Sequence, residues 1–160
     1  MILLQKIKKF QTKLETSGLE ITDENLQRAY IALANLELIP KCKVMFDENL
    51  TGRDGKPLNG QVSAKKKRFL GVIPYGYRLT IRIRPGVHWL EYLFHEFTHV
   101  CLFKDFSYTK HGAAFNDIQE YLLDRHSEKL LKLLLKLQKE DKENAQATDI
   151  KFNKQSNRYE

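Results

Sequence analysis

The residues of this chain that could do chemistry together are His95-Glu96-Phe97-Thr98-His99. Two histidines four apart on an α-helix lie about 40° apart around the axis and about 6 Å along it. Both imidazoles then project from one face and can share one ion at about 2.0–2.1 Å. Glu96 sits one step round, close enough to hold a metal-bound water without being a ligand. The metal would bring that water's pKa towards neutrality; the carboxylate would accept its proton and then protonate a leaving amine. The segment around the motif is otherwise apolar (Trp89, Leu90, Leu93, Phe94, Val100, Leu102, Phe103). Ionisable groups on such a helix need partners, and a shared cation would satisfy them.

A catalytic zinc needs a third protein ligand and an open position. His111 is the first candidate. It follows His99 after a loop that reverses the chain, Gly112 permits a tight turn, and Phe115 lies one helical turn on, where it could pack beneath the ligand. The rival is Glu120, with Asp124 one turn later, an arrangement similar to the E-x-x-x-D of thermolysin-like enzymes. Asp117 or Asp124 could also accept a hydrogen bond from a ligand histidine. Tyr108, between the ligands, is the first candidate for stabilising the transition state; Tyr75, Tyr77 and Arg125 are others. His88 and His126 read as surface or capping histidines, and Cys101 as a thiol facing the core.

These residues must be held by the elements around them. Ile2, Leu3, Ile7, Phe10 and Leu14 recur at helical spacing, and Ser17-Gly18 ends that segment. Thr22 caps a second helix with the stripe Leu26, Tyr30, Leu33, Leu36, stopped by Pro40. Lys43–Phe46 is a short strand and residues 47–61 a loop rich in Gly, Asn, Asp and Pro. Residues 68–73 and 77–84 flank Pro74-Tyr75-Gly76, which reads as a hairpin turn. Tyr77, Leu79, Ile81 and Ile83 alternate with Arg78, Thr80, Arg82 and Arg84, the pattern of a half-buried strand. Were it an edge, it could align an extended peptide by strand addition. The motif helix spans 88–103, and another starts near Gly112 and carries Leu130, Leu133, Leu134 and Leu137. The expected fold is α+β: N-terminal helices, a small antiparallel sheet and an active-site helix in one domain over 1–139. Residues 140–160, poor in apolar side chains, form a flexible tail.

The chain has 160 residues, 42% hydrophobic and 29% charged, which suits one globular domain. Its two cysteines exclude a four-cysteine zinc knuckle or a dense disulfide scaffold and fit a reducing compartment. No apolar run approaches the roughly 18 residues of a membrane span, and the N-terminus does not read as a secretory signal. A cytoplasmic protein is expected, nucleoid- or nucleus-associated if it binds DNA. The net charge of +7 is concentrated: residues 41–86 hold eleven Lys or Arg against three acids, a net +8. Such a field attracts polyanions, with Lys65, Lys66, Lys67 and Arg68 as the densest cluster.

The run His95-Glu-Phe-Thr-His99, a loop, then His111-Gly-Ala-Ala-Phe115 resembles the SprT-like (Spartan-type) zinc metalloproteases, whose pattern is a zincin helix followed by H-G-x-x-F/W. The order of helices and strand before the motif also resembles theirs, over residues 20–125. The resemblance implies a minimal zincin-like domain, Zn2+ held by His95, His99 and His111, Glu96 as base and a protein substrate. In the Spartan branch the substrates are proteins crosslinked or bound to DNA. The four-cysteine zinc ribbon frequent in the family is missing here. DNA would then have to be met by the basic segment or the lysine-rich C-terminal helix. Two other classes remain: a nucleic-acid-binding module with a structural zinc and no protease activity, and a metal-dependent hydrolase of a non-peptide substrate.

Overall fold

The computed structural model describes residues 2–39, 42–69, 73–106 and 111–156, without the side chains of 66–69, 73–77, 104–106 and 155–156. Its elements are α1 (Leu3–Ser17), α2 (Asp23–Leu36), β1 (Lys43–Phe46), β2 (Gly60–Phe69), β3 (Ile73–Ile83), α3 (Trp89–Phe106) and α4 (Ala113–Ser156). The class is α+β, four helices with one small sheet. None of these helices is long and apolar enough to cross a membrane.

Each element follows from local chemistry. Gly18 takes the left-handed conformation (φ 75°) that ends α1. The Thr22 side chain accepts a hydrogen bond from the Asn25 amide at 3.1 Å, capping α2. Helix α3 is apolar on most of its circumference because it is the centre of the molecule: Trp89, Leu90, Leu93, Phe94, Phe97, Val100 and Leu102 are all buried. Phe10 of α1 and Tyr30 of α2 meet it edge-on through Phe94 and Phe97. Leu122, Leu123, Leu130, Leu131 and Leu134 of α4 complete the core.

The sheet has the order β1-β3-β2 and is mixed. β2 and β3 pair antiparallel, but β1 runs parallel to β3, which corrects the expected antiparallel sheet. The cause is the route of the chain. Phe46 ends β1 opposite Ile83, and Gly60 begins β2 opposite the same residue. Residues 47–59 therefore cross the end of β3 from one edge to the other. Arg84, just past β3, clamps this crossing: its guanidinium donates to the carbonyl oxygens of Leu58 (2.8 Å), Glu48 (2.9 Å) and Leu50.

β2 starts at Gly60, ahead of the strand expected at 68–73; the sequence hides it because small Gly60, Val62 and Ala64 alternate there with polar Gln61, Ser63 and Lys65. Pro74-Tyr75-Gly76 is not a turn; it lies within β3, opposite Arg68 and Lys67. A register shift between Lys67 and Arg68 faces this proline, as a residue without an N–H cannot keep a regular ladder. Residues 70–72 lie outside the described ones, as does Pro40. Val44, Ile81, Val62, Ile83 and Gly60 share the inward face.

Helix α4 docks on the α1–α2 turn through Gln138, which bonds Gly18 O, the Glu20 amide and the Asn25 side chain. Asp141 pairs with Arg28 at 2.6 Å. The helix then continues to Ser156, with side chains exposed over 142–154, so the segment read as a flexible tail is helical over its described part, 140–156.

Candidate metal centre

His95 and His99 project from one face of α3, as their spacing requires. His111 comes from the residues just before α4. One nitrogen from each of the three rings lies within 4.8 Å of the other two. His111 Nε2 is 3.2 Å from His95 Nε2 and 2.9 Å from His99 Nε2. Ligands at 2.0–2.1 Å from a tetrahedral centre would be about 3.3 Å apart, so the rings are spaced for one ion. Their chemistry fits too. A neutral imidazole nitrogen either donates one proton or offers one lone pair, so His111 Nε2 cannot serve both neighbours well, whereas a cation satisfies three lone pairs at once. Imidazoles suit zinc, copper, iron and nickel alike.

Phe115 supports the cluster from below. It is buried, and its ring lies 4.9, 4.6 and 4.7 Å from the rings of His95, His99 and His111. Glu120 and Asp124 do not join the site; both pair with Lys6 of α1, Asp124 at 2.8 Å. His99 Nδ1 is buried with no hydrogen-bond partner among the described residues, so neither Asp117 nor Asp124 braces it. His88 and His126 are paired with Glu15 (2.7 Å) and Glu37 (2.6 Å), away from the cluster. Arg125 lies over the Tyr121 ring. Tyr108 lies outside the described residues, as do the side chains of Tyr75 and Tyr77.

The three histidines and Glu96 line an open cleft of about 520 Å³ together with Leu58–Val62. Glu96 is only 5% exposed. Its seat is made by Gly60: a Cβ there would stand 2.6 Å from Glu96 Cγ and 2.7 Å from its Oε1. The β2–β3 register places Gly60 on the inward face, so the missing side chain is what leaves the carboxyl room. Gly60→Ala is expected to destabilise the protein by about 1–3 kcal/mol, and the cost to vanish in a Glu96→Ala background. Urea denaturation of the four chains measures this; equal costs in both backgrounds would place the clash elsewhere.

Burial controls the charges. It pushes Glu96 up to about 8, helped by the nearby Glu91, and holds His95 and His99 down at about 4, helped by the other histidines of the cluster. The signs oppose. The histidines contribute stability that is intact above about 6.5 and lost as pH falls towards 4. The Glu96 contribution is intact below 4.5 and lost as pH rises through about 8. In chelator-treated protein, Glu96→Gln is therefore expected to flatten the decline of Tm between pH 4.5 and 8 and leave the acid arm. A thermal-melt series across pH checks this; an unchanged alkaline arm would contradict it.

Sequence reading missed Gln11, Gly60, Glu91 and Tyr92, all of which line the cleft. Glu91 was legible, since it stands four before His95 on the motif's own helix. Gln11 and Gly60 arrive from distant elements, with no local signal. Comparison with family models, with curated proteins and with solved structures finds no match to this chain in any of the three.

Proposed function

We propose that this chain is a zinc-dependent endopeptidase on a minimal zincin-like domain. One juxtaposition carries the reading: three imidazoles face one another on the wall of an open cleft, and a buried carboxyl from the same helix is seated beside them. Zinc held by His95, His99 and His111 would supply Lewis acidity, polarising a peptide carbonyl and acidifying water. Glu96 does the proton work, accepting a proton from the attacking water and delivering it to the leaving amine. Burial raises its pKa in the metal-free protein, and a bound dication beside it would bring it back down and free the carboxylate to accept a proton. Gly60 leaves its carboxyl room, and Phe115 packs against all three rings. The resemblance of the motif to SprT-like metalloproteases supports protein substrates and a site of action in the cytoplasm or on DNA.

A nucleic-acid partner has its own support. The outward face of the sheet carries Lys43, Lys65, Arg78 and Arg82 beside Ser63 and Thr80, with Lys65 directly opposite Arg78. Like charges across a pair are unfavourable unless an anion covers them. The backbone of Lys65–Arg68 lies in β2, and the side chains of Lys66, Lys67 and Arg68 are outside the described ones. Arg84 is taken up by the crossing loop.

Zinc-loaded protein incubated with unfolded casein, with and without duplex DNA, tests both readings. Cleavage that stops on chelation supports the peptidase. Intact casein, together with salt-dependent DNA binding that survives zinc removal, would replace it with a binding module holding a structural zinc.

A further inference from the structure

The cleft does not end at the histidines. Beyond them its wall is formed by Gln11, Glu91 and Tyr92. Glu91, His95 and His99 stand at i, i+4 and i+8, so Glu91 continues the ligand stripe one turn back, about 6 Å along the axis. It is only 5% exposed. A buried carboxylate is costly unless it is paired. Among the described residues no lysine or arginine pairs with it. Its hydrogen bond from Gln11 Nε2 is long, at 3.4 Å. His88, whose charge acts on it, is itself taken by Glu15 at 2.7 Å. Among the described residues the one hydrogen-bond partner of Glu91 is that Gln11 amide, and Glu91 lines the cleft.

We propose that this end of the cleft is a subsite for a cationic group of the substrate, with Glu91 as the specificity-determining residue. The inference rests on the metallopeptidase reading and adds the substrate's chemistry to it. An ammonium or guanidinium entering beside Glu91 completes the missing ion pair in a place shielded from water, where a charge-assisted hydrogen bond is strong. Burial raises the Glu91 pKa, and an adjacent cation reverses that shift. Two sources present such a nitrogen near a scissile bond: a lysine or arginine side chain, or a free amino terminus.

Three chelating probes separate them on the zinc-loaded full chain. N-acetyl-lysine hydroxamate carries a side-chain cation, norleucine hydroxamate a free amino terminus, and N-acetyl-norleucine hydroxamate neither. One of the cationic probes is expected to bind about tenfold to a hundredfold more tightly than the neutral one. That advantage is expected to disappear in Glu91→Gln, while the neutral probe keeps its affinity. The lysine probe winning assigns the subsite to a side chain; the norleucine probe winning assigns it to an amino terminus. Equal binding of the three, or an advantage that survives Glu91→Gln, overturns the inference and leaves Glu91 as a tether for α1. Should Glu91→Gln fail to fold, the three affinities of the wild-type protein decide the matter. Failure of all three probes to bind the zinc-loaded protein overturns the metallopeptidase reading itself, and the subsite with it.

Discussion

Glu96→Gln protein is expected to take up zinc in the same stoichiometry as wild type and to lose peptide cleavage by a factor of about 10²–10⁴, the range for removing a general acid–base. The substitution is close to a pure test of proton transfer. Glutamine matches glutamate in size, so it occupies the seat against Gly60 without a new clash. It bears no charge, and the site tolerates that, since burial already holds the carboxyl up at about 8. The ligand rings keep their support from Phe115. Metal analysis and turnover on unfolded casein give the two readouts. Wild-type turnover in Glu96→Gln would remove the carboxyl from the mechanism, whatever the metal does.

His111→Ala is expected to weaken zinc binding by at least about a hundredfold, since substitution of groups that merely support ligands already costs 10–100-fold. The ring is exposed and lies outside the helices, so its removal costs the fold little and the loss is read as affinity alone. Glu120→Gln supplies the contrast. That carboxylate is engaged with Lys6, so its loss is expected to leave zinc affinity unchanged. Competition with a chromophoric chelator measures both. The reverse outcome, affinity kept without His111 and lost without Glu120, would require α4 to rotate and a different site to form.

Some of this molecule was legible before any coordinates. The helix of His95 and His99 is a periodicity argument and needs no partner element. The Thr22 cap and the Lys43–Phe46 strand are equally local, and the structure has both. His111 came from a turn signal and the aromatic one turn later, and its ring does meet the other two. What escaped was set by pairing between distant segments. The parallel placement of β1 depends on a loop crossing, fixed by contacts of Arg84 with carbonyl oxygens, and backbone oxygens leave no mark in sequence. β2 hid because Gly60, Val62 and Ala64 are too small to announce an apolar face. Gly60 itself reads as one more loop glycine until its register opposite Ile83 aims it at Glu96.

That register has a further consequence. Side chains along a strand alternate, so slipping β2 by one residue would turn Asn59 or Gln61 towards α3 in place of Gly60. Either side chain would stand where the Glu96 carboxyl now lies. On the peptidase reading, the pairing of two strands and the placing of the proton carrier are thus one event, joined through a single residue that has no side chain.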